Sequence, residues 1–142
     1  MMLKPYRLGA LLLTLLALPV VPSVPALAAP AALAGRGHTA AQISDFLIGF
    51  YGDHGPSAQD RENQVSQTLK ERQQVNEELD VLLCAHDEPQ DISVGPVTVA
   101  KTASVGWATV TTHWASGTTD TFTAYVRLDS NPIRLDDVIC AG

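Results

Sequence analysis

The chain has 142 residues, 17% of them charged, and a formal net charge of −6, which leaves room for one domain at most. An acidic surface repels phosphate backbones and anionic lipids. Nucleic acid and membrane surfaces are therefore excluded as expected partners.

The chain opens with Lys4 and Arg7, then runs apolar from Leu8 to Val21 with Thr14 as the polar interruption. That run spans 14 residues, short of the roughly 20 that a spanning helix needs. Pro19, Pro22 and Pro25 break it, and small-residue cleavage patterns follow at Ala26-Leu27-Ala28 and Ala32-Leu33-Ala34. The pattern predicts a secretory signal peptide over 1–28; an uncleaved anchor is the alternative. The mature chain would begin at Ala29 or Gly35 and carry seven basic against fifteen acidic residues, a net −8. Residues 29–38, rich in Ala, Gly and Pro, read as a flexible linker. A single domain is expected over 39–142.

Thr39-Ala40-Ala41-Gln42 has the form of a capping box. Ile43, Phe46, Leu47 and Phe50 follow at helical spacing, with Tyr51 beside the stripe. The breakers Gly52-Asp53-His54-Gly55-Pro56 end that helix. Ser57 to Asp60 offers a second start, and the composition from Gln59 to Cys84 is helical. Whether 57–84 forms one long helix or two short ones, with a break near Gln73 or Gln74, stays open at this level.

After the loop Asp87-Glu88-Pro89-Gln90-Asp91 the texture turns to β-branched residues and alternation. Four strands are expected: Ile92–Thr102, interrupted by Gly95-Pro96; Ser104–Trp114; Thr118–Leu128; and Ile133–Cys140. Ala115-Ser116-Gly117 reads as a tight hairpin turn. Phe122, Ala124, Val126 and Leu128 share one face, and Thr121, Thr123, Tyr125 and Arg127 share the other. One-sided alternation predicts an antiparallel sheet with one face packed on helices. In the last strand Ile133 and Leu135 differ in parity from Val138 and Cys140. A bulge at Asp136-Asp137 would restore a common face.

Cys84 and Cys140 both lie in the mature part. Export leads to an oxidising compartment, so a disulfide is the default expectation, with two buried thiols or a metal pair as alternatives.

The order of elements, helices first and then a curved antiparallel meander, is similar to the cystatin-like fold shared by nuclear transport factor two, ketosteroid isomerase and the polyketide cyclases. The closing Ile133-Arg134-Leu135-Asp136-Asp137-Val138-Ile139-Cys140 resembles the last strand of a family of exported bacterial proteins of unknown function in that superfamily. Phe50-Tyr51 and Gln90-Asp91 resemble further positions of that family. Ile133, preceded by Pro132, stands where that family usually has tryptophan. The resemblance implies an α+β fold, N-terminal helices on a curved four-stranded antiparallel sheet. It implies no particular activity, because the fold hosts enzymes and binding modules alike.

The sequence holds no Gly-x-Ser-x-Gly, no His-Glu-x-x-His and no phosphate-binding glycine loop. It offers no cofactor motif and no metal-ligand spacing. His86-Asp87-Glu88 is the densest polar cluster and reads more simply as a solvated loop than as a metal site; Asp53-His54 reads as a turn. A cone-type pocket could draw on Tyr51, Trp107, His113 and Tyr125. There His113 would act as acid or base, and Tyr51 or Tyr125 would donate to an oxyanion, as a tyrosine does in ketosteroid isomerases; His113 reads more simply as an exposed strand residue or a satisfied core histidine. Against this, no mid-strand carboxylate is present to serve as base. Trp107 and Trp114 have opposite parity, so one belongs to the core and the other is either a surface for ligand stacking or simply a partly covered edge. The expectation is a secreted binding module for a protein or small-molecule ligand. The alternative is a small isomerase- or cyclase-type enzyme using the cone; a filled cone favours the former.

Overall fold

A computed structural model of the chain describes residues 37–142. The expected signal peptide and all but the end of the expected linker lie outside the described residues. At that end His38 is tied down: its backbone N–H donates to the Leu128 carbonyl at 2.9 Å, and its Nε2 lies 2.6 Å from the Ser130 carbonyl.

Helix α1 spans Ala40–Tyr51. The capping box forms as its residues dictate: Gln42 N–H donates to Thr39 Oγ1 at 3.2 Å and Thr39 N–H donates to Gln42 Oε1 at 2.9 Å. Two backbone donors that the first turn would leave bare are thereby satisfied. Ile43, Leu47, Phe50 and Tyr51 form the buried stripe, which packs on the sheet.

The segment 57–84 is two short helices, α2 (Ala58–Asn63) and α3 (Gln67–Val75), each capped by a serine, Ser57 and Ser66. The helical run does stop at Val75, beside the break expected near Gln73 or Gln74, but the break between α2 and α3 falls at residues 64–66. There the chain leaves the helix to pair with the last strand: Leu135 N–H donates to the Gln64 carbonyl and Ser66 N–H to the Leu135 carbonyl, both at 2.8 Å. Val65, between them, enters the core. Two strand-type bonds and a buried valine outweigh the helix turn that continuity would have kept.

The helical composition also misleads beyond Val75, because residues 76–86 form turns. The Gln73 side chain organises them. Its Nε2 donates to the carbonyls of Asn76 and Leu79, and its Oε1 accepts from Val81 N–H, all at 2.9 Å. Asp80 Oδ1 accepts from Leu82 N–H at 2.9 Å. Such side-chain bonds to nearby backbone compete with helix. Val81, Leu82, Leu83 and Ala85 are buried from this irregular segment.

Among the described residues five strands follow: β1 (Asp91–Val94), β2 (Thr98–Ala100), β3 (Val105–His113), β4 (Thr119–Arg127) and β5 (Leu135–Cys140). All pairings are antiparallel, in the order β1-β3-β4-β5, with β2 also on β3. The expected first of four strands is thus divided. Gly95-Pro96 interrupts it, and β1 and β2 hold different stretches of the same edge of β3. Pro96 lacks the N–H that an uninterrupted ladder needs.

The β3–β4 turn closes with Gly117 N–H donating to the Trp114 carbonyl at 2.9 Å, and Gly117 takes φ +83°, where glycine alone carries no steric penalty. On β5 the expected bulge is present: Tyr125 faces Asp137 and Val126 faces Leu135. Asp136 is therefore the extra residue, and Leu135 and Val138 both turn to the core. Val110, Phe122, Ala124 and Val126 complete the helix-side face, with Leu128 beside them.

Cys84 and Cys140 are bonded, with Cα atoms 5.6 Å apart, inside the range a disulfide requires. Cys140 pairs across the sheet with Phe122 and so ends β5 on the core side. Its partner lies in the turn segment, not at the end of a helix. The bond therefore ties β5 to the irregular 76–86 layer. Among the described residues, no helix is long and apolar enough to cross a membrane.

Candidate functional site

The sheet divides the residues in which the sequence offered chemistry. Tyr51 lies on the helix side, fully buried. Its hydroxyl donates to the Leu82 carbonyl at 3.2 Å, and its ring meets Phe122 edge-on with centroids 5.5 Å apart. Burial pushes its pKa well above the usual tyrosine value; nearby Asp80 adds to the rise and Arg61 offsets part of it. The phenol stays protonated, and its proton is already engaged with Leu82.

Trp107, His113 and Tyr125 occupy the opposite face. Trp107 and Tyr125 are direct cross-strand partners, with ring centroids 6.2 Å apart and planes at 31°. Both are half-buried. His113 shares the face but stands six positions further along β3, roughly 20 Å away at strand rise. Its Nε2 lies 3.3 Å from Ser93 Oγ. The four candidate residues therefore do not converge on one pocket: Trp107 and Tyr125 meet, His113 is remote and Tyr51 is behind the sheet. Trp114 is the tryptophan packed against the core, and its indole N–H donates to Asp120 Oδ2 at 2.7 Å.

The space between α1 and the sheet is filled. Ile43, Leu47, Tyr51, Val110, Phe122 and Val126 occupy it, each no more than 2% exposed. Clefts that open to solvent lie elsewhere among the described residues. One of about 310 Å³ is lined by His54, Arg61, Asp80, His86, Asp87 and Glu88 among others. Its wall carries the Arg61–Asp80 ion pair at 2.6 Å. His54 Nδ1 and His86 Nδ1 lie 3.1 and 2.8 Å from the carbonyls of Pro89 and Glu78. Another cleft, of about 240 Å³, sits over Val65, Leu69 and Leu82 between α2 and α3. Among the described residues, no three of His, Cys, Asp and Glu come together to hold a metal ion. The His86-Asp87-Glu88 cluster is part of a cleft rim.

The solvent face of the sheet is the feature that strand-by-strand reading did not assemble. Thr98 stands opposite Trp107, Thr109 opposite Thr123, and Thr111 opposite Thr121. Turn position was the usable signal. Once Ser116 is taken as the centre of the hairpin, residues equidistant from it pair, and Trp107 falls opposite Tyr125.

Compared with models of protein families, with curated proteins and with solved structures, the chain matches none of them.

Proposed function

We propose that this chain is an extracytoplasmic binding module that recognises its ligand on its surface. The observation that carries the reading is the filled space between α1 and the sheet. An isomerase- or cyclase-type enzyme needs room there for substrate and a free donor; Tyr51 supplies neither, since its hydroxyl is bonded to Leu82. The disulfide between Cys84 and Cys140 supports a location outside the reducing cytoplasm, as does the leader expected from the sequence. Helices followed by antiparallel strands with a bulge on β5 support assignment to the cystatin-like superfamily, with the cone occupied by the protein's own side chains.

Amide chemical-shift mapping of the isotope-labelled secreted protein, titrated with concentrated exported material from its source cells, tests the reading. Shifts confined to exposed amides are expected. Shifts centred on Tyr51, Val110 and Phe122, or consumption of a small molecule during the titration, would overturn it in favour of an interior site with turnover.

A further inference from the structure

We propose that the solvent face of the sheet around Trp107 and Tyr125 binds a neutral glycan. The inference rests on the binding-module reading and names its ligand class. The two rings are adjacent across β3 and β4, tilted by 31°, and form a shallow apolar platform. Ile139, 53% exposed and opposite Thr123, extends it across β5.

Hydroxyls frame the platform. Thr98 stands beside Trp107, and the Thr109–Thr123 pair forms the next row. Among the described residues, the polar atoms of these three threonine side chains, the Trp107 indole and the Tyr125 phenol have no hydrogen-bond partner in the protein. The other aromatic groups differ: Tyr51 and Trp114 use their donors on Leu82 and Asp120. The hydrogen-bonding capacity of this face is turned outward.

Charge selects the ligand. The aromatic row ends at Asp137, which is neutralised by Arg72 at 2.9 Å. Arg127, the next residue on this face of β4, is held by Asp129 at 3.0 Å. Asp136, the bulge residue beside Asp137, has no ion pair of its own among the described residues but acts on Arg127. The charges bordering the platform therefore belong to one local cluster, and the chain around it is acidic, with a net charge of −6. An anionic ligand would be repelled, and the rings themselves offer a cation no carboxylate, the nearest, Asp136 and Asp137, lying at the rim beside Arg127 and Arg72. A neutral sugar matches both features. Its C–H faces stack on aromatic rings, and its hydroxyls meet threonine hydroxyls and an indole N–H.

The test is native electrophoresis of the secreted protein in gels containing glucomannan, lichenan or hydroxyethylcellulose, with alginate as the anionic control. Retardation in at least one neutral gel and none in alginate is expected. Trp107→Ala and Tyr125→Ala should each weaken it tenfold or more in apparent Kd with thermal unfolding unchanged, and Trp107→Phe should retain part of it. Retardation by none of the neutral gels, or by alginate alone, would overturn the ligand class. Retardation that survives Trp107→Ala would overturn the site while leaving a surface binding module in place. A dimer in sedimentation velocity that Trp107→Ala abolishes, without glycan retardation, would assign the face to a second copy. Release of reducing ends from the polysaccharide would overturn the binding-module reading itself.

Discussion

The Ile43 side chain of α1 lies over Gly106 of β3 so closely that a Cβ added at Gly106 would stand 2.5 Å from Ile43 Cδ1. The absence of a side chain at this position lets helix and sheet close on each other. Gly106→Ala should therefore destabilise the fold by about 1–3 kcal/mol through overpacking, reduced by the smaller chain entropy of alanine. In an Ile43→Val background, which removes that methyl group, the same substitution should cost clearly less. Urea unfolding of the four proteins in this cycle measures it. Equal costs in both backgrounds would show that the contact does not set the helix–sheet spacing.

Phe122 is 2% exposed, lies on the helix-side face of β4 and meets Tyr51 edge-on. Phe122→Ala should cost roughly 3–5 kcal/mol by cavity formation. Thr121→Ala, on the other face, should change stability by less than about 0.5 kcal/mol. A Phe122→Ala protein as stable as its parent would refute the assignment of faces.

The disulfide closes a loop with a sequence separation of 56 residues. It joins the C-terminal strand to a turn segment that has little regular structure of its own. Replacing both cysteines by serine should lower stability by about 2–4 kcal/mol. It should also raise hydrogen exchange at Val138 and Ile139, because a terminal strand frays when its end is released. Mass spectrometry of the denatured, non-reduced parent should find no free thiol. Two free thiols in protein recovered from an oxidising compartment would remove the bridge.

Gln73 holds residues 76–81 through three hydrogen bonds to backbone groups. Gln73→Ala should cost about 1–3 kcal/mol and speed exchange at Val81 and Leu82. Protection in β3 and β4 should persist under native conditions. Uniform loss of protection across the sheet would mean that the turn layer and the sheet open as one unit.

The sequence by itself determined the features that depend on neighbouring residues. Thr39 and Gln42 specify the start of α1, because a capping box is complete within four positions. The alternation of Phe122, Ala124 and Val126 specifies an outer and an inner face of β4, because successive strand side chains point opposite ways. The parity change between Leu135 and Val138 specifies the bulge. Tertiary structure alone decided what depends on distant partners. Residues 64–66 leave the helix because Leu135 offers them backbone bonds, and nothing within 57–84 announces that offer. Gln73 marks a possible break in the helical composition, but that its amide serves a turn is decided by Val81, Leu82 and Leu83 being drawn into the core. For the candidate site, the parity of Trp107, His113 and Tyr125 was legible along each strand. That Tyr51 stands behind them follows from which face α1 covers, and that Trp107 meets Tyr125 follows from the β3–β4 register, which the Ala115-Ser116-Gly117 turn already implies. Both are set by the packing of Ile43 and Leu47 on the sheet and by the position of the Gly117 turn, so the aromatic platform belongs to the assembled sheet and to no single segment of it.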